Sequence, residues 1–496
     1  MDKQQAPAGI PVEDWEATPR SVQTLVLGLL AVVAELKQSV LQLQERNEQQ
    51  QQRINELEEQ VGKNSRNSSK PPSSDPPSVK KPPPKAKGKR QRGGQKGHQG
   101  QGRRLKPPEE VDRFVISKPT ECQRCGSLLL GEDPEPKRHQ VSELPEIKPE
   151  LVEYQRHRLV CLGCGQCNGA EWPEEMPSGS FGFRTQAVMS YLSGRFTISR
   201  RDVAEIMESL FNVNISLGAV SAQETNVSEA LIEPVATAQQ YVQQQPQLNT
   251  DETSWQKNHK RHWLWTATTD WVTIFHIAAT RGADGFKQLL DTSLFAGIVT
   301  SDRWSAYNWL DPTQRQLCWA HLLRDFQAFV DRKGEAAIIG RLLLKQTDLM
   351  FALWHRVRDG TLSRTDFQQK MRPIQAEVEA LLQLGTLVNH SKTAKCCGNI
   401  LKLSAALWAF VQHEGIEPTN NAAERALRRA VLWRKRSFGS QSERGLRFTE
   451  RILTVVTTLR QQQRNVLDFL VLACRNHHLG LAAPSLLPVG TPASNI

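Results

Sequence analysis

The sequence has no apolar run approaching the roughly 18 residues that a membrane span requires. Its best candidate, LVLGLLAVVA at 25–34, is too short and continues into a polar, periodic segment. The first twenty residues lack the basic start, apolar run and small-residue cleavage site of a secretory signal. We therefore expect a cytoplasmic protein that does not engage a membrane. Cysteine is sparse: nine in 496 residues, an odd number that argues against a disulfide framework. Acids are nearly missing from one stretch. Between Lys63 and Lys106 stand 14 Lys or Arg against the single acid Asp75, a local charge of +13 that accounts for the whole-chain excess of +11. Such a block suits a polyanionic partner, usually nucleic acid, and equally a solvated tether.

What remains is ample for a core. A hydrophobic content of 39% over this length suits two to four domains. Residues 1–20 are expected to be disordered, and residues 21–62 to form a coiled-coil helix. One seam of that helix is Val26, Val33, Val40, Asn47, Ile54 and Val61; the other is Leu29, Leu36, Leu43, Gln50 and Leu57. β-Branched residues on one seam with Leu on the other favour a parallel two-stranded coil, and the lone Asn sets register. We therefore expect a homo-oligomer through residues 21–62. Residues 63–108 follow, a basic linker rich in Pro, Ser and Gly that cannot bury a core.

Residues 109–172 contain CQRC at 122–125 and CLGC at 161–164, with 35 residues between them. Two such knuckles bring four thiolates together, and soft thiolates in a tetrahedron suit structural Zn²⁺. The expected ligands are Cys122, Cys125, Cys161 and Cys164, with Cys167 a spare. Each pair is followed by a glycine, Gly126 or Gly165, as a tight knuckle prefers. Residues 173–245 are expected to be helical. Ser199 and Ser216 are candidate caps, and the spacing is compatible with a DNA-binding helix-turn-helix.

From 246 to 333 the pattern becomes strand-like, in the runs PQLNTDETSW, HWLWTATT, VTIFHIAA and AGIVTSD, with a helix at ADGFKQLL. A mixed sheet in an α/β domain follows from this order. Asp251 ends LNTD and Asp302 ends GIVTSD. Placed on central strands, the two carboxylates would emerge together and suit a hard cation such as Mg²⁺; taken singly, each is an ordinary strand-end acid. Residues 334–417 form a Leu-rich helical insertion, 418–480 complete the core with a helix and its C-terminal neighbours, and 481–496 form a flexible tail. At PTNNAAERALRR, Thr419, Asn420 or Asn421 caps a helix whose first or second turn holds Glu424. A helix start favours an acid by only about 0.3–1 kcal/mol, which by itself makes Glu424 a surface residue. His321, in CWAH, reads either as a neighbour of the site or as a packed core histidine.

The stretches NSSKPPSSD, the two CxxC pairs, TDETSW, SDRWSAY, CWAHLLRDF, PTNNAAERALRR and WRKRSFGS, in this order over roughly residues 60–480, resemble transposases of the bacterial insertion sequence 66 family. That resemblance implies a multidomain α+β protein with a ribonuclease H-like catalytic core, a helical insertion, an N-terminal coiled coil and a small zinc-ribbon-like module. It implies a DDE triad of Asp251, Asp302 and Glu424 holding two Mg²⁺ or Mn²⁺ ions about 3.5–4 Å apart for cleavage and strand transfer of DNA. Asp251 would bridge the ions, with Asp302 and Glu424 holding one each. Many relatives carry Gly after the second acid, where this chain has Arg303, a variant of one branch. Arg428 shares a helix face with Glu424 and would hold a phosphate. Arg425 and Arg429, pointing elsewhere, would track the flanking backbone, and Lys435 and Arg436 the transposon end. The implied partners are double-stranded transposon-end and target DNA, association with the nucleoid when bound, and companion transposition proteins in some branches. Two rival readings use the same features. A zinc-containing dimeric DNA-binding regulator has no need of the three acids, and a metal-dependent nuclease would cut without joining.

Overall fold

The computed structural model describes residues 6–68, 104–291 and 294–488. Most of the expected basic linker, including all but the first two residues of NSSKPPSSD, and the last residues of the expected tail lie outside them.

A short helix α1 (Val12–Glu16) precedes a single long helix α2 (Arg20–Val61). The N-terminal segment is thus partly ordered where disorder is expected, because Trp15 is buried, at 3% exposure. The heptad seam is a continuous helix, and Leu29, Val33, Leu36, Val40, Leu43, Ile54 and Leu57 are all exposed along it. One expectation needs correction. An 18-residue window of α2 reaches a mean hydropathy of 1.7, so the helix is long and apolar enough, by length and composition, to cross a bilayer. Counting an uninterrupted run misses this, because the apolar residues of 25–34 continue through the seam positions of the next turns. At its far end α2 meets the body of the protein: Glu59 accepts from Arg332 at 3.0 Å and pairs with Lys392.

Residues 104–180 have little core of their own and only one two-stranded ribbon, β1 (Arg158–Val160) with β2 (Cys167–Gly169). Helices α3 (Phe183–Phe196), α4 (Arg200–Phe211), α5 (Leu217–Ala230) and α6 (Ile232–Gln243) follow. Ser199 and Ser216 cap α4 and α5 as expected, each accepting a backbone N–H at 3.2 Å.

The sheet has the order β5-β4-β3-β6-β7. Strands β3 (Gln247–Lys257), β4 (Lys260–Thr268) and β5 (Thr273–Ala278) form an antiparallel meander. Helix α7 (Ala283–Leu289) leads to β6 (Ile298–Ser301), parallel to β3, and then to β7 (Arg315–Leu317), parallel to β6. Strand β7 is not among the expected strands: three residues, buried throughout, are too few for a period-2 pattern. Next come α8 (Trp319–Asp331), α9 (Gly334–Arg358), α10 (Arg364–Gly385), α11 (Ser391–Leu401), α12 (Ala409–Gln412), α13 (Asn421–Ser437), α14 (Glu443–Gln461) and α15 (Val466–His478).

Both sheet edges are covered, which removes a template for strand pairing. On the β5 edge, the N–H groups of Thr273, Phe275 and Ile277 donate to Thr458, Thr454 and Glu450 of α14 at 3.0, 3.1 and 2.6 Å. Four helical residues rise about 6 Å, close to the rise of two strand residues, so a side chain every fourth position serves every second N–H. On the β7 edge, Gln316 is held by the insertion, donating to the Leu407 carbonyl at 3.2 Å and accepting from the Phe410 N–H at 2.8 Å. Helices α8–α12 form a second hydrophobic core, in which Leu322, Phe326, Leu343, Met371 and Phe410 are buried. That core begins at β7 and α8, upstream of the expected boundary at 334. The segment 481–488 also packs rather than hanging free: Leu486 is fully buried and its carbonyl accepts from Gln462 at 2.8 Å.

Candidate active site

Asn249 of β3 lies opposite Thr300 of β6 in a parallel pair. Continuing that register by two residues brings Asp251 beside Asp302, and the two-residue period of a strand keeps both on the face of Asn249. Asp251 therefore stands inside β3, not at a strand end, while Asp302 directly follows β6. Trp255 of the same β3 face meets Trp433 of α13 edge-on, with ring centroids 6.5 Å apart, so α13 covers this face.

Glu424 enters from the first turn of α13. The helix start is held by Asn420, which is fully buried. Asn420 occupies the N-cap position, but its side chain does not cap the helix. Instead Nδ2 donates to the Thr250 carbonyl at 2.7 Å, and Oδ1 accepts from Asn249 at 3.1 Å. Its backbone N–H points to Cys318 Sγ at 3.1 Å, and the neighbouring Pro418 carbonyl accepts from the Trp319 N–H at 2.9 Å. The strand beside Asp251, the start of α8 and the start of α13 are thus joined at one point. This places three acids, 173 residues apart at the extremes, around one space.

The electrostatics fit a cation. Burial pushes the Asp251 carboxyl well above the usual range, and the charges of Glu252, Asp302 and Glu424 push it further. Only a hydrogen bond from the Glu252 N–H, at 2.8 Å, opposes them among the strongest influences. Glu252 itself is a buried acid that the sequence reading passes over. It projects from the other face of β3 and accepts from Arg281 Nε and Tyr307 OH, both at 2.9 Å. Glu252 has its own cation, whereas Asp251 faces acids. Asp302 Oδ1 accepts from the Trp304 N–H at 2.9 Å, and its carbonyl accepts from Arg315 Nη2 at 2.7 Å. Arg315 is fully buried, and burial lowers its pKa to about 10. Arg303 turns away from the acids to Asp325 of α8 at 2.5 Å and Cys396 of α11 at 3.4 Å, pinning the Asp302 loop to the insertion.

His321 is a neighbour of the site. Its Nδ1 lies 3.9 Å from Glu424 Oε1 and is buried with no hydrogen-bond partner. Burial lowers its pKa, opposed by the charges of Asp302 and Glu424. Ligand atoms of Cys318, His321 and Glu424 lie within 4.8 Å of one another, the one such group of three or more among the described residues. The trio Asp251, Asp302 and Glu424 is more open than that. Cys318 is a poor ligand as it stands, its thiol pushed up to about 11 chiefly by burial.

The cysteine knuckles are built twice on one plan. Cys122 N–H donates to Ser127 O and Gly126 N–H to Cys122 O, both at 2.9 Å; Cys161 N–H donates to Gln166 O and Gly165 N–H to Cys161 O, both at 2.8 Å. Gly126 and Gly165 have φ of 71° and 77°, the left-handed turn that favours glycine here. Each loop closes a hairpin, bridged at Glu121–Leu128 and Val160–Cys167. Hydrogen bonds from Ser127, and from the Gly163 and Cys164 backbone, lower the Cys125 and Cys161 thiols respectively. The structure forms each pair but does not draw three or more of these sulfurs within 4.8 Å.

The arginines of α13 fall in one place. Arg425, Arg428, Arg429 and Arg436 line a cleft of about 450 Å³ together with Arg195 of α3 and Arg460 of α14. Arg425 and Arg429 are thus not separated from Arg428, as the sequence reading has them. At about 100° per residue the stripe is centred a quarter turn from Glu424. Lys435 is exposed outside the cleft lining. The second helix of the candidate helix-turn-helix, α5, has no Lys or Arg and buries Val220, Gln223, Glu224 and Val227.

A family model described as Transposase IS66 family matches residues 185–447. A family of unknown function, DUF6444, matches residues 21–104. Two similar proteins of Sinorhizobium fredii (strain NBRC 101917 / NGR234) carry the names Uncharacterized protein y4qI and Uncharacterized protein y4hP. The first is 24% identical over 398 residues, 73% of this chain and 71% of its own length. The second is 23% identical over 388 residues, 71% of this chain and 69% of its own length.

Proposed function

This chain belongs to the Transposase IS66 family, and on that premise we propose that it is a DDE-type transposase with a ribonuclease H-like core. The carrying observation is the pairing of Asn249 on β3 with Thr300 on β6, whose register extended by two residues brings Asp251 beside Asp302, with Glu424 held nearby by the Asn420 junction and adding its charge to theirs. A buried carboxylate, Asp251, whose proton affinity is raised by burial and by the neighbouring acids suits a divalent cation, and oxygen donors alone suit Mg²⁺ or Mn²⁺. Such ions supply charge that activates an attacking hydroxyl and stabilises the leaving oxygen. Asp251, Asp302 and Glu424 anchor the site, Arg315 and Trp304 hold the Asp302 loop, and His321 stands beside Glu424. No covalent attachment of DNA to the chain is required.

Around this centre, Arg425, Arg428, Arg429, Lys435 and Arg436 contact DNA phosphates. The two knuckles share a structural Zn²⁺ held by Cys122, Cys125, Cys161 and Cys164. Helix α2 self-associates through its exposed seam to bring two DNA ends together. Its Gln-rich outer faces and its Glu59 contact with the insertion favour this role over a membrane span, so the protein acts in the cytoplasm on DNA.

The test is a strand-transfer assay with transposon-end DNA and Mg²⁺. Asp251→Ala, Asp302→Ala and Glu424→Ala are each expected to lower cleavage by at least about 10²–10³-fold, the scale of losing one group that stabilises transition-state charge. DNA binding should persist. Full cleavage by any of the three would remove that residue from the site, and cleavage without joining in wild type would make the protein a nuclease.

A further inference from the structure

We propose that the arginine cleft beside α13 takes an unpaired stretch of DNA strand, its phosphates on the arginines and one base stacked on Phe196. This rests on the transposase reading and adds a single-strand subsite to it.

Six arginines line the cleft, Arg195, Arg425, Arg428, Arg429, Arg436 and Arg460, with no acid among its lining residues. None of the six forms an ion pair with a carboxylate among the described residues. Cations gathered in a concave wall raise a strong local potential, and a polyanion is the ligand that relieves it. Arg429 is half-buried there, donating to the Arg195 carbonyl, and burial lowers its pKa. A phosphate would stabilise that charge.

Size selects the form of DNA. At about 450 Å³ the cleft is the size of a small-ligand site, in the range of about 300–1,000 Å³, and suits a single strand entering it better than a duplex. The chain at its rim is unusual. Thr197 ends α3 with φ 58° and ψ 37°, a left-handed conformation that a β-branched residue rarely adopts. That turn leaves Phe196 45% exposed at the cleft, with the Arg195 guanidinium 5.1 Å from its ring centroid. An exposed aromatic framed by cations is a stacking platform for an unpaired base. Arg428 lies one helical turn from Glu424, so a strand leaving the acids reaches the cleft without a break.

Fluorescence anisotropy tests this with three probes of one arbitrary sequence: a blunt duplex, the same duplex with a single-stranded overhang, and the single strand. Wild type should bind the overhang duplex about tenfold tighter than the blunt one, a gap within the range of one stacked base. Phe196→Ala should remove that preference without weakening blunt binding, and Phe196→Tyr should restore it. Arg195→Ala with Arg460→Ala should lower the slope of log affinity against log salt by about 1.4 on the single strand, from two lost phosphate contacts. Equal binding of overhang and blunt duplex by wild type would overturn the proposal, as would a Phe196→Ala variant that keeps the preference. If wild type cleaves end DNA yet shows no preference, the cleft proposal fails alone. If it shows the preference yet never cleaves, the catalytic reading fails alone.

Discussion

The cysteine knuckles and the carboxylate cluster differ in what surrounds them. The knuckles stand in solvent, and apolar residues of the same segment such as Leu144, Leu151 and Leu162 are at least 88% exposed. Their shape comes from hydrogen bonds within five residues of each first cysteine and from one glycine each. The acids lie where β3, β6 and α13 meet, and Asp251 has its proton affinity raised chiefly by burial. A soft-metal site can therefore be written into two short loops, whereas a hard-metal site of separated acids needs the whole sheet to exist first.

That contrast can be broken in three places. The largest effect is expected at the knuckles. Cys122→Ser with Cys161→Ser should abolish bound zinc by metal analysis and expose residues 104–180 to rapid proteolysis. The main thermal transition should stay in place, because little of this segment belongs to the three hydrophobic cores. A shared loss of the main transition would mean that the two regions fold as one.

Next is the junction at Asn420. Asn420→Ala leaves the Thr250 carbonyl and the Asn249 amide without this partner, a cost of about 1–3 kcal/mol for buried polar groups. Thermal denaturation should show the loss, and cleavage should fall further than stability alone explains, since Glu424 loses its register with Asp251. Wild-type cleavage in this variant would show that α13 is placed by its other contacts.

The smallest effect concerns Asp251. Its folded-state pKa is raised above the unfolded value, so the metal-free protein has this group's contribution to stability in full only below the ordinary carboxylate range. It loses that stability as pH rises through the raised value, because the folded state must then ionise a buried acid among acids. Asp251→Asn should raise the metal-free melting temperature at about pH 8 by about 2–4 °C, the shift that about 1 kcal/mol gives in a domain of 150–250 residues. In wild type, added Mg²⁺ should raise the melting temperature more at about pH 8 than at about pH 5, and the Asn variant should lack the response. No gain in the Asn variant would mean that the site is not short of positive charge.

Much of the fold is legible in the sequence because it rests on local periodicity. The seam from Val26 to Val61, the caps Ser199 and Ser216, and the strand runs of β3, β4 and β5 each announce themselves within a few residues. Strand β7 does not, since three buried residues have no visible period. Glu252 is hidden for a different reason: beside Asp251 it looks like a second copy of the same acid, and only the alternation of faces separates a carboxylate held by Arg281 from one held by none. His321 has a signal, three residues after Cys318 at a helix start, yet spacing alone leaves it either in the core or at the site.

By itself the sequence determined the local devices: the knuckles, the heptad seam and the capped helices. Each is set by residues close enough along the chain for backbone geometry to bring them together. The tertiary structure alone decided that Asp251, Asp302 and Glu424 share one space, that Arg195 and Arg460 complete the cleft of α13, and that Trp15 and Leu486 are buried. Those facts depend on strand register, on the Asn420 junction and on which helix lies along which edge. They arise from packing between residues far apart in the chain, which no window of sequence contains.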